Sequence, residues 1–330
     1  MSTGLAQTYA LLLIARMGVG AGEAAGQPAV MSSVADLFPP ERRSTAISIY
    51  YLSAPASLLL AGAVGGLITA AYGWRMAMAA VAAPGLVLSV VLLFCPDVPR
   101  PAASATGGAS DGRPPSFGEV LRFIAGQRAI LHLIAAVALV NVVIAGLGAF
   151  GFAFFMRYHG MSLAELGPIY GVAAAAISLV VILGSGVVAD RVGRRDPRRR
   201  LWLIGGVLVV ASPVVIAGCL APQPFALVFY LFNLLIVGVW MGPATATVQN
   251  LTRPQMRSTM AAILFVTMGV IGVGLGPVLT GVLSDVWAAR TGADGLRPAL
   301  IITTAVGFWS ALHFFLATRT LEQDLARASA

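Results

Sequence analysis

Apolar residues run through this chain in blocks of about bilayer length, separated by short stretches rich in arginine, glycine and proline. Nine such blocks fall at 9–36, 46–71, 76–95, 129–156, 167–189, 201–220, 225–248, 260–283 and 298–317. Inside them apolar and polar positions do not alternate, so the two-residue period of a half-buried strand is missing. A helix rising about 1.5 Å per residue needs roughly 20 residues to cross the hydrocarbon. In lipid, only helices and closed barrels satisfy every backbone N–H and C=O. The pattern therefore predicts an all-α polytopic membrane protein with about nine transmembrane helices.

Composition fits that class. The chain is 58% hydrophobic and 10% charged, with a mean hydropathy of +0.88, whereas soluble domains carry about 25% charged residues. The net charge is +8, and all 21 basic residues are arginine. Without lysine there is no Walker phosphate loop, Schiff base or Ser-x-x-Lys nucleophile. Cys95 and Cys219 lie far apart in apolar surroundings, and His132, His159 and His313 are scattered. Neither set has disulfide or zinc spacing. No metal, cofactor or enzymatic chemistry is expected, and a membrane-tied arginine run is a poor nucleic-acid site. The residues before the first block have no basic start, so no signal peptide is expected.

Arginine placement orients the helices. One set of loops holds Arg42 and Arg43; Arg100, Arg113, Arg122 and Arg128; Arg191 through Arg200; Arg253 and Arg257; and Arg319 and Arg327. The alternate loops hold only Arg75, Arg157, Arg290 and Arg297. Arginine favours the cytoplasmic side, so the first set and the C-terminus are expected inside, in a cell membrane.

Two segments repeat. DLFPPERRSTAI (Asp36 to Ile47) matches NLTRPQMRSTMA (Asn250 to Ala261) at Leu37, Pro40, Arg43, Ser44 and Thr45 against Leu251, Pro254, Arg257, Ser258 and Thr259. Each copy follows an apolar block on the arginine-rich side and precedes a glycine-rich helix, with Gly62 falling on Gly276. This reads as a duplicated half. Three further blocks precede the second copy, and the same offset puts their counterparts before residue 1. The expected organisation is an incomplete N-terminal bundle of three spans over 1–95 and a complete six-helix bundle over 129–330. Between them, 96–128 reads as a cytoplasmic linker. Its end, SFGEVLRFI, pairs Ser116 with Glu119 in capping-box spacing and aligns Phe117, Val120, Leu121 and Ile124 as an apolar stripe. A short helix on the membrane surface is expected there.

The motif GVVADRVGRR (Gly186 to Arg195) closes the fifth block. Gly186 allows close helix approach, and Gly193 suits a tight turn with positive φ. Asp190 can accept from the N-terminal amides of a neighbouring helix, and Arg191, Arg194 and Arg195 can pair with carboxylates or lipid phosphates. The motif resembles the loop signature of the major facilitator superfamily, G-x-x-x-D-R-x-G-R-R.

The first block contains RMGVGAGEA. Gly18, Gly22 and Gly26 form a small-residue stripe for helix contact. Arg16 and Glu23 are two turns apart on nearly one face. An ion at mid-membrane costs about 2.5–3.5 kcal/mol, so these two need a wet face or a partner. Two readings stay open: a polar cavity wall in which Glu23 exchanges a proton and Arg16 holds an anion, or a static pair fixing helix packing. This segment with Pro28, Asp36, Pro39 and Arg43 resembles helix four of spinster-like facilitators. Pro254 to Asp285 is similar to their helix eleven, and Phe154 to Gly167 to the end of their helix seven.

The resemblance implies two helical bundles around a central cavity that opens alternately to either side, moving lipids, lysolipids or small organic anions, often with protons. In such proteins an acidic residue on helix one works with the helix-four arginine; its position falls before residue 1. The expectation is a secondary active transporter in a lipid bilayer, proton-coupled, for a small organic or amphiphilic solute with an anionic group. A non-transporting scaffold or sensor is the alternative. Arg16, Glu23 and Asn141 are the candidate cavity residues. Asp36 and Arg43, with Gly186 to Arg195, are the candidate cytoplasmic gate. Gly18, Gly22, Gly26, Pro28, Gly272, Gly276 and Pro277 are candidates for packing and hinge.

Overall fold

A computed structural model describes residues 2–60, 64–95 and 115–329. Among these residues the chain is helical, without strands. A first turn, α1 (Ser2–Leu5), precedes the long α2 (Tyr9–Leu37), then α3 (Arg43–Tyr51), α4 (Ser53–Leu60) and α5 (Gly66–Leu93). After 96–114, which lie outside the described residues, come α6 (Phe117–Ala125), α7 (Arg128–His159), α8 (Leu163–Gly193) and α9 (Arg198–Leu220). Three consecutive segments follow, α10 (Phe225–Tyr230), α11 (Asn233–Val239) and α12 (Met241–Asn250). Then come α13 (Arg257–Thr267), α14 (Leu275–Thr291), α15 (Leu296–Ala317) and α16 (Leu321–Ser329).

Seven helical stretches among the described residues are long and apolar enough to cross a membrane: 67–93, 128–159, 165–193, 198–220, 225–250, 254–291 and 296–317. The two expected spans outside this set are 9–36 and 46–71. The first is one helix of 29 residues, but Arg16, Glu23, Gln27 and its glycines dilute its hydropathy. The second is divided between α3, α4 and the start of α5, and 61–63, with Gly62 of the repeat, lie outside the described residues. The boundary expected near 71–76 is a kink inside α5, where Gly73 turns the backbone at φ 80°, a conformation glycine adopts without penalty.

The main core lies within α6 to α16. Leu133, Val137, Leu208, Trp240, Leu264, Leu300 and Phe314 belong to one buried cluster, in which α15 packs most extensively on α7 and α9. A smaller cluster joins Met31, Ile47 and Tyr51 to Ile182, Ala246 and Ala261. Through it α2 packs on α13, and α3 on α8 and α12. The remaining early surface is apolar and exposed: only 6% of the best 67–93 window is buried within the chain. The stretch 254–291 is not a uniform α-helix. Met268–Gly274 is a π segment, a local widening that recurs at functional sites. Pro277 follows it, and its missing N–H leaves Val273 O, four residues back, without the usual donor.

Candidate functional site

The contact between the early helices and the rest is concentrated at the arginine-rich end. α3 starts without a cap of its own, because Arg42 at its N-cap supplies no side-chain hydrogen bond. First-turn amides have no partner inside a helix. Asp190, near the end of α8, supplies one: its carboxylate accepts from Ser44 N at 3.2 Å, Thr45 N at 2.8 Å and Thr45 Oγ1 at 2.7 Å. A carboxylate is also the charge that the positive end of a helix dipole favours. Arg200 of α9 braces the arrangement, with Nη2 3.6 Å from Asp190 Oδ1 and donating to Pro40 O at 2.6 Å. Both side chains are 5% exposed. A buried ion pair persists when hydrogen bonds satisfy its remaining valences, and here the carboxylate has three donors besides the guanidinium.

Beside this cap the repeat folds onto itself. Asp36 and Asn250 hold equivalent places in the two copies, as do Arg43 and Arg257. Arg257 Nη1 donates to Asp36 Oδ1 at 2.5 Å, and Arg43 Nη1 donates to Asn250 Oδ1. Each arginine thus reaches the acceptor of the opposite copy. Ala35 O accepts from both guanidinium groups, and Arg43 Nε donates to Phe38 O at 3.1 Å. Burial, and then the neighbouring Arg257 guanidinium, hold Arg43 down to about 10, so it remains a cation at neutral pH.

Two glycines allow this closeness. Ser44 and Ser48 of α3 are wedged between Gly186 of α8 and Gly242 of α12. A Cβ at Gly186 would lie 2.8 Å from Ser44 O, and one at Gly242 2.6 Å from the same atom; both would also strike Ser48 Oγ.

Other candidates take different positions. Gly193 is helical and does not have the positive φ expected of it. It gives room to Arg200, whose Cγ would be 2.8 Å from a Cβ there. Arg191, Arg194 and Arg195 are exposed and form no ion pair among the described residues; the carboxylate beside them is taken by Arg200. Asn141 is buried at 7% exposure, donates to Val137 O of its own helix at 2.8 Å and abuts Gly272. It therefore sits in the α7 contact with the π segment. Gly276 makes the same contact one turn on, where a Cβ would be 2.6 Å from Val142 O. Gly18, Gly22 and Gly26 have open space where a Cβ would go, so no described residue packs on that stripe. Pro28 is buried within an unbroken α2. Arg16 and Glu23 are both exposed, and neither forms an ion pair or side-chain hydrogen bond among the described residues. They are not paired with one another, so the static-pair reading has no support.

Four residues of the joint were not among the candidates: Asn250, Arg257, Arg200 and Gly242. The repeat carried a signal for the first two, since Asn250 and Arg257 occupy the places that Asp36 and Arg43 hold in the other copy. Arg200 is one of several arginines in a run, and nothing local distinguishes Gly242.

A family model described as Major Facilitator Superfamily matches residues 1–277. An MFS-type efflux pump of Mycolicibacterium smegmatis is 31% identical over 329 residues, covering 98% of this chain and 75% of that protein. Protein spinster homolog 3 of Mus musculus is 25% identical over 342 residues, 96% of this chain; the chain spans 66% of that protein's length. The crystal structure of a bacterial homolog of the human lysosomal transporter Spinster, inward-facing and unoccupied, superposes with a TM-score of 0.65 at 25% identity, covering 98% of this chain and 80% of that one. The E. coli fucose:proton symporter shares the fold, with a TM-score of 0.68 at 15% identity over 97% and 78% of the two chains.

Proposed function

This chain belongs to the Major Facilitator Superfamily, a family of multi-pass membrane transporters, and from that premise we propose that it is a secondary active transporter whose cytoplasmic gate is shut in this structure. The gate is the joint of α2 and α3 with α8, α12 and α13. One observation carries the reading: Arg43 and Arg257 exchange acceptors across the two copies of the repeat. Such a reciprocal contact forms in one relative orientation of the halves and breaks when they rock apart. The arginine-rich end is then cytoplasmic, as the positive-inside bias requires. The bacterial Spinster homolog is inward-facing in its crystal structure, and the rocking reading gives this chain a corresponding arrangement in which the joint is open.

The solute path runs past Arg16 and Glu23. Their exposure, with no ion pair among the described residues, fits a wet route better than a packing role, because an ion against hydrocarbon costs about 2.5–3.5 kcal/mol. Arg16 selects a solute with an anionic group, and Glu23 carries the coupled proton. The glycines around them leave a weakly polar wall that suits an organic or amphiphilic solute. The M. smegmatis relative is named an efflux pump and a Bacillus subtilis relative, 21% identical, a hexuronate transporter; both names fit organic solutes.

The experiment is flux in proteoliposomes under an imposed pH gradient, with a panel of organic anions and lysophospholipids. Wild type should show gradient-driven flux, Glu23→Gln should keep exchange but lose the response to the gradient, and Arg16→Gln should lose anion flux. The absence of flux for every solute would favour the second reading, a non-transporting scaffold, which the open face around Gly18, Gly22 and Gly26 also fits.

A further inference from the structure

The arginine-rich end carries a second feature, separate from the joint and from the proposed solute path. Helix α6 is held to the bundle by Val120 and Ile124, 0% and 5% exposed, and is closed at its start by the Ser116–Glu119 capping box. The other two residues of its apolar stripe, Phe117 and Leu121, lie four apart on one face and are 61% and 44% exposed. The stripe along this helix is therefore split between the protein and the outside. Against α6 lie two adjoining grooves of about 400 and 330 Å³, with Arg122, Phe123 and Arg253 lining both. Arg327 borders the second groove and Glu119 the first. The Arg253 guanidinium carbon sits 5.5 Å from the centre of the Phe123 ring, which holds it over the groove. Arg327 Nη1 donates to Gly126 O at 3.1 Å and is 3.4 Å from Asp324 Oδ1. Among the described residues neither Arg122 nor Arg253 forms an ion pair.

We propose that these grooves hold the phosphate headgroup of an anionic phospholipid, with its acyl chains beside Phe117 and Leu121. Two guanidinium groups that form no ion pair among the described residues and line the same grooves, one of them over the Phe123 ring, match a phosphodiester in charge and in planar donor geometry. Basic residues beside membrane spans attract anionic headgroups, and stable attachment takes a basic patch together with an apolar element. The exposed Phe117–Leu121 pair is that element, and it is what a free phosphate or an acidic peptide has no use for. The site belongs wholly to α6, the turn before α13, the start of α7 and α16, so it stands independently of the transport reading.

The test titrates the purified full chain in detergent with phosphatidylglycerol and with phosphatidylcholine, reading bound lipid by native mass spectrometry. Phosphatidylglycerol should bind more tightly. The double variant Arg122→Gln, Arg253→Gln should weaken it about 30-fold and leave phosphatidylcholine unchanged. Phe117→Ser with Leu121→Ser should weaken both lipids. Arg290→Gln, at the opposite end, should alter neither. Equal binding of the two lipids, or full retention of phosphatidylglycerol by the double arginine variant, would overturn the proposal. So would displacement of the lipid by equimolar inorganic phosphate or a glutamate-rich peptide, which would assign the site to a soluble anion.

Discussion

Gly242→Ala offers a direct test of the proposed closure at the joint of α3 with α8 and α12. A methyl group at position 242 would stand 2.6 Å from Ser44 O and also strike Ser48 Oγ. The serine hydroxyl can rotate away, but the carbonyl belongs to the backbone of α3. To restore a contact of 3.4 Å, α3 must retreat by roughly 0.8 Å. That movement draws Ser44 N and Thr45 N away from Asp190, which they meet at 3.2 and 2.8 Å. Overpacking a tight contact costs about 1–3 kcal/mol. Alanine also improves helix propensity by about 0.8–1 kcal/mol over glycine, but this gain applies with the joint open or shut and cancels from the equilibrium between them. The shut population should therefore fall about 5- to 150-fold relative to the open one. Spin labels on cysteines placed at the exposed Glu41 and Gln255, in a background with Cys95 replaced by serine, would report the separation across the joint by pulsed electron–electron resonance. A long-distance population should appear or grow. Gly148→Ala is the control, since nothing lies within 4 Å of a Cβ there. An unchanged distance distribution in Gly242→Ala, or the same change in Gly148→Ala, would refute the reasoning.

Asp190→Asn should open the same joint by electrostatics: it leaves Arg200, with a side chain 5% exposed, buried without an anion, at a cost of about 3–5 kcal/mol. The same label pair should read this as a larger long-distance fraction than Gly242→Ala produces. Asn250→Asp should do the reverse, giving Arg43 the carboxylate that Arg257 already has in Asp36, and the long-distance fraction should shrink; growth of that fraction would contradict the reciprocal pairing. Ser116→Ala removes the acceptor for Glu119 N and should cost about 0.5–2 kcal/mol of α6 stability, seen as faster hydrogen exchange at the Val120 to Ile124 amides with α7 unchanged. Gly22→Ala, where a Cβ meets open space, should leave the thermal stability of this chain unchanged or slightly raised.

How the helices lie along the chain was legible because it depends on local quantities. The length of an apolar run and the arginines that bound it act within a few residues, whatever the rest of the chain does. The loop signature around Asp190 was legible too. The sequence also supplied a poor cap, Arg42, at the start of α3, a gap that some other part of the chain had to fill. It did not say which charges would meet. Asp190 lies 145 residues from the amide of Thr45, and Arg257 lies 221 residues from Asp36. Such pairings follow from how the helices are placed in space, which no local pattern encodes. For the same reason Arg200, and not the nearer Arg191, Arg194 or Arg195, meets the carboxylate, and Gly193 is small to admit that side chain and not to turn the chain. Asn141 is a further case: the structure gives its side chain a bond to Val137 O on its own helix and a contact with Gly272, neither of which a local pattern announces. The sequence by itself determined the class and where most of the long helices run; the tertiary structure decided which faces of those helices touch, because a side chain's partner is fixed by the packing of segments far apart in the chain.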